Sequence, residues 1–109
     1  MDGLGSAFRH EAAFRQELAL AVVLIPAAFF VPVDWMMRAM LIGSVMLVLI
    51  VELLNSAVEA AVDYISVEEH HLAKRAKDMG SAAVLLSLCT SGAVWALALW
   101  QCWPSLMGS

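Results

Sequence analysis

The sequence predicts an all-α membrane protein, a single domain over residues 1–109 built from three transmembrane helices. Two observations predict it. Hydrophobic residues make up 62% of the chain and charged residues 15%, with a mean hydropathy of +0.83; soluble domains run at ~45–50% and ~25%. The charges also fall so as to leave three uncharged stretches: Leu18 to Val33, Ala39 to Val51, and Met79 to the end. A soluble domain this small hides only ~60% of the surface its chain exposes, too little for this composition. The same apolar content excludes a disordered chain, and two cysteines exclude a disulfide scaffold. A net charge of −4 lacks the basic footprint of a nucleic-acid binder.

Taken in order, residues 1–10 are a short polar start with Gly3 and Gly5. The first span is expected over 12–33, with Pro26 kinking it and Pro32 marking the turn that follows. The second is expected over 36–65. Its uncharged part is too short for the ~20 apolar residues a span needs, so the helix must continue through Glu52. Residues 66–75 (SVEEHHLAKR) form the only sizeable hydrophilic loop, with Ser66 as N-cap of the segment leading into a third span over 76–103.

Basic residues set the orientation. With three spans, Arg9, Arg15, Lys74, Arg75 and Lys77 share one side and Arg38 stands alone on the other. That bias puts the N-terminus in the cytoplasm and the C-terminus outside. Trp35, Trp100 and Trp103 then reach the outer interface, where indole rings settle. A cleaved signal peptide fits residues 1–33 poorly, because Glu11 and Glu17 stand where a basic start belongs.

The second span carries a polar stripe. At ~100° per residue, Glu52, Asn55, Ser56, Glu59 and Asp63 fall within an arc of about 100°. Leu, Val and Ala fill the positions between them. Glu52 lies about 16 Å along the axis from Asp63, within the hydrocarbon region. A charge at helix centre costs ~2.5–3.5 kcal/mol on the insertion scale, and such residues face protein or water and mark function. Glu11 precedes the first span, and Lys77 and Asp78 begin the third, one turn before Ser81. Carboxylates from separate segments beside a lysine suit metal-assisted phosphoryl transfer: acidic oxygens hold Mg²⁺, a cation steadies phosphate charge, and a carboxylate takes a proton from an acceptor hydroxyl. An ordinary interfacial ion pair explains Lys77 and Asp78 equally well when they are taken alone. No GxxxxGK[ST] loop is present, so a nucleotide site here is not a P-loop.

These residues resemble the bacterial integral-membrane diacylglycerol kinases. The resemblance rests on E-L-L-N-S-A-V-E-A-A-V-D from Glu52 to Asp63 combined with A-K-D-M-G-S-A from Ala76, and it extends over nearly the whole chain. The run E-A-A-F-R-Q-E from Glu11 points to the proteobacterial branch. It implies a homotrimer of three-span subunits, each with a short N-terminal surface helix, that uses Mg²⁺ and ATP to phosphorylate diacylglycerol in the bacterial inner membrane. By the same resemblance Glu52 is the general base, and Glu11 and Glu59 hold the metal on ATP. Lys77 and Asp78, with Glu68 and His70, contact the nucleotide, while Asn55 and Asp63 support the site. Arg15, Gln16, Glu17 and Ser81, with a face from Trp95 to Trp100, line the lipid groove together with Glu52.

The residues themselves supply a reason for the oligomer. Three helices cannot enclose so polar a stripe, and a neighbouring subunit must cover it. Ala83, Ser87 and Ser91, spaced by four, allow close helix approach, between subunits or within one. Against the family pattern the polar start is short, with Arg9 its only basic residue. His71 beside His70 makes no metal pair, because adjacent helical residues point ~100° apart. Cys89 and Cys102 stand ~20 Å apart on one helix, too far to bridge within the chain; both read as small hydrophobes, with an intersubunit bond at Cys102 the minor alternative.

Two rival functions share parts of this pattern. One is an undecaprenol kinase, which differs in the lipid tail. The other is a small proton-coupled transporter, which relays protons through an intramembrane carboxylate but is built on four spans with that carboxylate in the first.

Overall fold

A computed structural model describes residues 2–65 and 71–108. Among them every regular element is helical: α1 Asp2–His10, α2 Ala12–Ala28, α3 Trp35–Ile65 and α4 His71–Leu106. The molecule is a rod of 60 × 28 × 19 Å, in which α4 packs along α3, α2 lies on α3, and α1 rests on α2.

The polar start forms a helix of its own. Asp2 in its first turn and Arg9 and His10 in its last complement the helix dipole, and Ala7 is buried against the core. Glu11 then takes an extended conformation (φ −119°, ψ 108°), which breaks α1 from α2. Its carbonyl accepts the Arg15 amide, while its carboxylate makes no capping bond.

The first apolar helix stops at Ala28, short of the expected residue 33. Pro26 cannot donate to the carbonyl four residues back. The amides of Phe29 and Phe30 then bond only three residues back, to Pro26 and Ala27, which tightens and ends the turn. Pro26 therefore shapes the helix end, not a mid-span kink. Asp34 starts α3 by accepting the Met37 amide on Oδ1 at 2.8 Å, an N-cap bond. Arg38 closes the turn from above. Its guanidinium donates to the carbonyls of Ala28, Val31 and Val33 at 2.8–3.0 Å and lies 4.6 Å from the centre of the Trp35 ring. Carbonyls that the end of α2 leaves without helical partners are thus satisfied from the next helix.

α4 begins at His71, five residues before the expected start, and runs on to Leu106. The expected N-cap Ser66 lies outside the described residues. The early turns are polar, and Lys74 pairs with Asp78 at 2.8 Å in the i,i+4 relation that supports an exposed helix. The helix ends where Gly108 adopts φ +80°, the left-handed stop that glycine makes without penalty.

The core is thin and continuous. Phe14 and Ala21 of α2 pack on Val45 and Leu49 of α3, with Leu18, Ile25 and Leu53 at the margin. Further along, Ala28, Leu41 and Ala98 form a fully buried contact of α2, α3 and α4. Trp95 packs against both clusters. Ser44 and Ser91 meet across α3 and α4 at 3.1 Å and Ser87 is buried, so two of the three spaced small residues serve packing within the subunit; Ala83 is exposed. Cys102 is buried and Cys89 exposed.

Large apolar side chains cover the outside, among them Val22, Val23, Phe30, Leu86 and Leu97. Apolar surface so extensive marks contact with lipid or with other protein. By length and composition α3 and α4 can each cross a membrane. The 17 residues of α2 span about 25 Å, at the lower limit for crossing.

Replacing Arg38 by alanine takes this donor from the Ala28 and Val33 carbonyls, while that of Val31 keeps the Val33 amide. It is expected to lower stability by about 2 kcal/mol, read as a fall in Tm in detergent micelles. An unchanged Tm would mean that the turn holds without the guanidinium.

Candidate functional site

The site grows from the stripe on α3. Glu52 is 6% exposed and sits one turn beyond the apolar contact of Val45 and Leu49 with α2. Glu11, Glu17 and Glu59 all lie within electrostatic reach of it, so carboxylates from the α1–α2 junction, the second turn of α2 and the next turns of α3 converge there. On the far side of the stripe Asn55 lies against Gly80 of α4, and Asp63 accepts Lys77 Nζ at 2.6 Å. On the near side Ser56 lines a groove toward α1. Glu52 and Glu59 fall at helical angles between Asn55 and Ser56, and so face the cleft between α4 and the α1–α2 pair.

Two grooves adjoin this cleft. One, of about 650 Å³, runs between α1 and α3 and is lined by His10, Glu11, Ser56 and Ala60. The other, of about 530 Å³, is walled by Leu18, Val22, Ile25, Met46 and Ile50. They share Leu4 and Leu53. Both grooves are mainly apolar; the first also carries Ser6, His10, Glu11 and Ser56, and Leu53, which lines both, follows Glu52 in the chain, a shape that suits an amphiphile.

The structure brings together part of the expected site. Glu11, Glu17, Glu52 and Glu59 converge as described, and Asp63 and Lys77 are joined. Asp78 instead turns to Lys74. Arg15 donates to the Arg9 carbonyl at 3.3 Å; Gln16 and Ser81 are exposed. The expected face from Trp95 to Trp100 is not a face. Five residues separate their directions by about 140°; Trp95 is packed in the core while Trp100 is 82% exposed. Glu68 and His70 lie outside the described residues. Among the described residues no three acidic, histidine or cysteine side chains are close enough to hold a metal by themselves. Mg²⁺ asks for less: one or two carboxylates together with substrate phosphates, a donor set that Glu11 and Glu59 fit chemically.

Sequence reasoning missed two contributors. Gly80 was quoted in a motif without a role, although a glycine inside a long helix, where alanine is favoured, is a signal of close packing. Arg38 was read only as a lone charge on the outer side; its position after a proline-containing turn was the available clue.

An all-helical chain with membrane-like apolar helices and a buried carboxylate near two adjoining grooves defines a class of membrane protein with a polar site at a helix crossing. Comparison with known proteins makes the class definite. The profile described as prokaryotic diacylglycerol kinase matches residues 1–99. The chain is similar to proteins named diacylglycerol kinase from Pseudomonas aeruginosa (55% identical over 97 residues, 89% of this chain and 79% of that protein), from Haemophilus influenzae (52% over 95 residues, 87% and 80%) and from Escherichia coli K12 (51% over 99 residues, 91% and 81%). The chain belongs to the prokaryotic diacylglycerol kinase family, whose members are lipid kinases.

The Lys77–Asp63 pair is exposed at both partners, 40% and 65%. Asp63→Asn is expected to change stability by less than about 1 kcal/mol, as exposed pairs do. A larger fall in the denaturant midpoint would show that the pair holds α3 and α4 together.

Proposed function

We propose that residues 1–109 act as one ATP-dependent kinase domain that converts diacylglycerol to phosphatidic acid at the cytoplasmic face of the bacterial inner membrane. Family membership supports the reaction class. The observation that carries the site is the buried Glu52, within electrostatic reach of Glu11, Glu17 and Glu59 and next to Leu53, where two mainly apolar grooves adjoin.

In this reading the acyl chains lie along the apolar groove and the free hydroxyl meets Glu52. The carboxylate takes the hydroxyl proton as its oxygen bonds to the γ-phosphorus. The bond from that phosphorus to the bridging oxygen breaks, and ADP leaves with that oxygen. Burial beside other carboxylates makes Glu52 a proton acceptor and no attractor of bulk water. Glu11 and Glu59 hold Mg²⁺ on the nucleotide, and the metal supplies charge neutralisation for the phosphates. Lys77, steered by Asp63, places a cation on the transferring phosphoryl group, with Asp78, Glu68 and His70 around the nucleotide. Arg15, Gln16, Glu17 and Ser81 flank the lipid.

α2 serves as the third span, its shortness compensated by the Arg38-capped turn. The excess of basic residues at the N-terminus and after α3 puts those segments in the cytoplasm and the C-terminus in the periplasm. The subunits form a homotrimer. Its interfaces cover the open side of the polar stripe, which a single subunit leaves next to lipid, and make each site composite.

Labelled ATP with purified protein and lipid tests the assignment. Glu52→Gln is expected to abolish transfer and leave nucleotide binding nearly intact, because it removes a base and little else. Glu59→Gln is expected to weaken Mg²⁺-ATP binding at least about tenfold, through loss of a metal ligand. Equal loss of nucleotide binding in both variants would contradict separate roles. Label in undecaprenol and none in diacylglycerol would overturn the substrate; no labelled lipid at all would overturn the kinase.

A further inference from the structure

Gly80 stands in the interior of α4, with helix on both sides for more than two turns. Alanine would be the better residue there on backbone grounds, since glycine loses more freedom on becoming helical. What the position demands is space. A Cβ built on Gly80 would collide with the side-chain oxygen of Asn55, a buried atom at the end of its side chain, so the amide would have to turn away. Gly3, Gly43 and Gly92, by contrast, have nothing within 4 Å of the corresponding point.

The neighbour that needs this space belongs to the acidic stripe. Asn55 lies one turn after Glu52 and one turn before Glu59, on the same side of α3. Its oxygen is buried and has no hydrogen-bond partner among the described residues, and it occupies the space beside the glycine. A side chain at position 80 would therefore drive the amide along the stripe toward a carboxylate, or push α4 off α3. Either movement reaches the reacting groups. Lys77, one turn earlier on α4, depends on the same crossing to meet Asp63.

We propose that Gly80 is a positioning residue for phosphoryl transfer: the absence of its side chain is the space that holds the Asn55 amide at the α4 edge of the stripe, one turn from Glu52 and one from Glu59. This rests on the kinase reading above, and the two fail separately. An inactive wild-type protein sinks the kinase reading, whereas an active wild type with an equally active Gly80→Ala protein sinks the role of Gly80.

The test is a double-mutant cycle. Gly80→Ala is expected to lower kcat at least about tenfold while KM for ATP and for lipid stay within about twofold, since small misplacements cost rate before they cost binding. It is also expected to lower Tm. Truncating the neighbour removes the collision, so the Asn55→Ala/Gly80→Ala protein is expected to match Asn55→Ala alone in both kcat and Tm. Wild-type kcat in Gly80→Ala, a rise in KM in place of the fall in kcat, or equal Tm losses from Gly80→Ala in both backgrounds would each overturn the proposal. Should Gly80→Ala fail to accumulate in membranes, the double variant must accumulate as Asn55→Ala does; its absence would equally overturn it.

Discussion

Placing Glu52 inside an apolar helix is the constraint from which the other features follow. A carboxylate at that depth is costly unless protein or a bound cation surrounds it, so the elements near it are organised as cover. α2 seals α3 with Phe14, Ala21, Val45 and Leu49 up to the turn where Glu52 begins the polar stripe. Beyond that turn the partners change from apolar to polar: Asn55 and Asp63 meet α4, and Ser56 meets the groove under α1. A single helix thereby changes its neighbour chemistry within one turn, and the boundary between the two regimes is where the chemistry is proposed to occur.

The far end of the molecule stabilises this arrangement by other means. The contact of Ala28, Leu41 and Ala98 brings three backbones close because two of its members are alanine, and dispersion between closely packed helices is the main attraction available in lipid. Arg38 binds from α3 the final carbonyl of α2 and two carbonyls of the turn that follows, which ties the two helices beyond the reach of any capping residue in α2 itself. With that end fixed, the opposite end can carry carboxylates, exposed ion pairs and open grooves. Stability and function are thus separated along the 60 Å length of the rod.

The polar stripe was fully legible, since it depends only on the angular period of one helix. The bounds of the second helix were also legible to within a residue, because the turn at Pro32 sets its start and the polar residues from Glu52 to Asp63 keep the helical period to its end. The end of the first helix was not. Its apolar character continues to Val33, and hydropathy does not register the hydrogen bonds that Pro26 and Pro32 remove. The pairing of Trp95 with Trp100 failed for a related reason: nearness in sequence was read as a shared direction, and on a helix five residues point well apart.

What the sequence determined by itself were the properties carried within single segments: membrane-like apolar content, helices, the alignment of Glu52, Asn55, Glu59 and Asp63, and a family signature dense enough to name the reaction class. Only the tertiary structure decided which neighbour each stripe residue meets, that Glu11 and Glu17 approach Glu52, that Asp63 takes Lys77 while Asp78 takes Lys74, and that Asn55 fills the space beside Gly80. The physical reason is that helical period is local, set by backbone hydrogen bonds four residues apart. The rotation and crossing of one helix against another are set by side-chain volumes at contacts far apart in the chain.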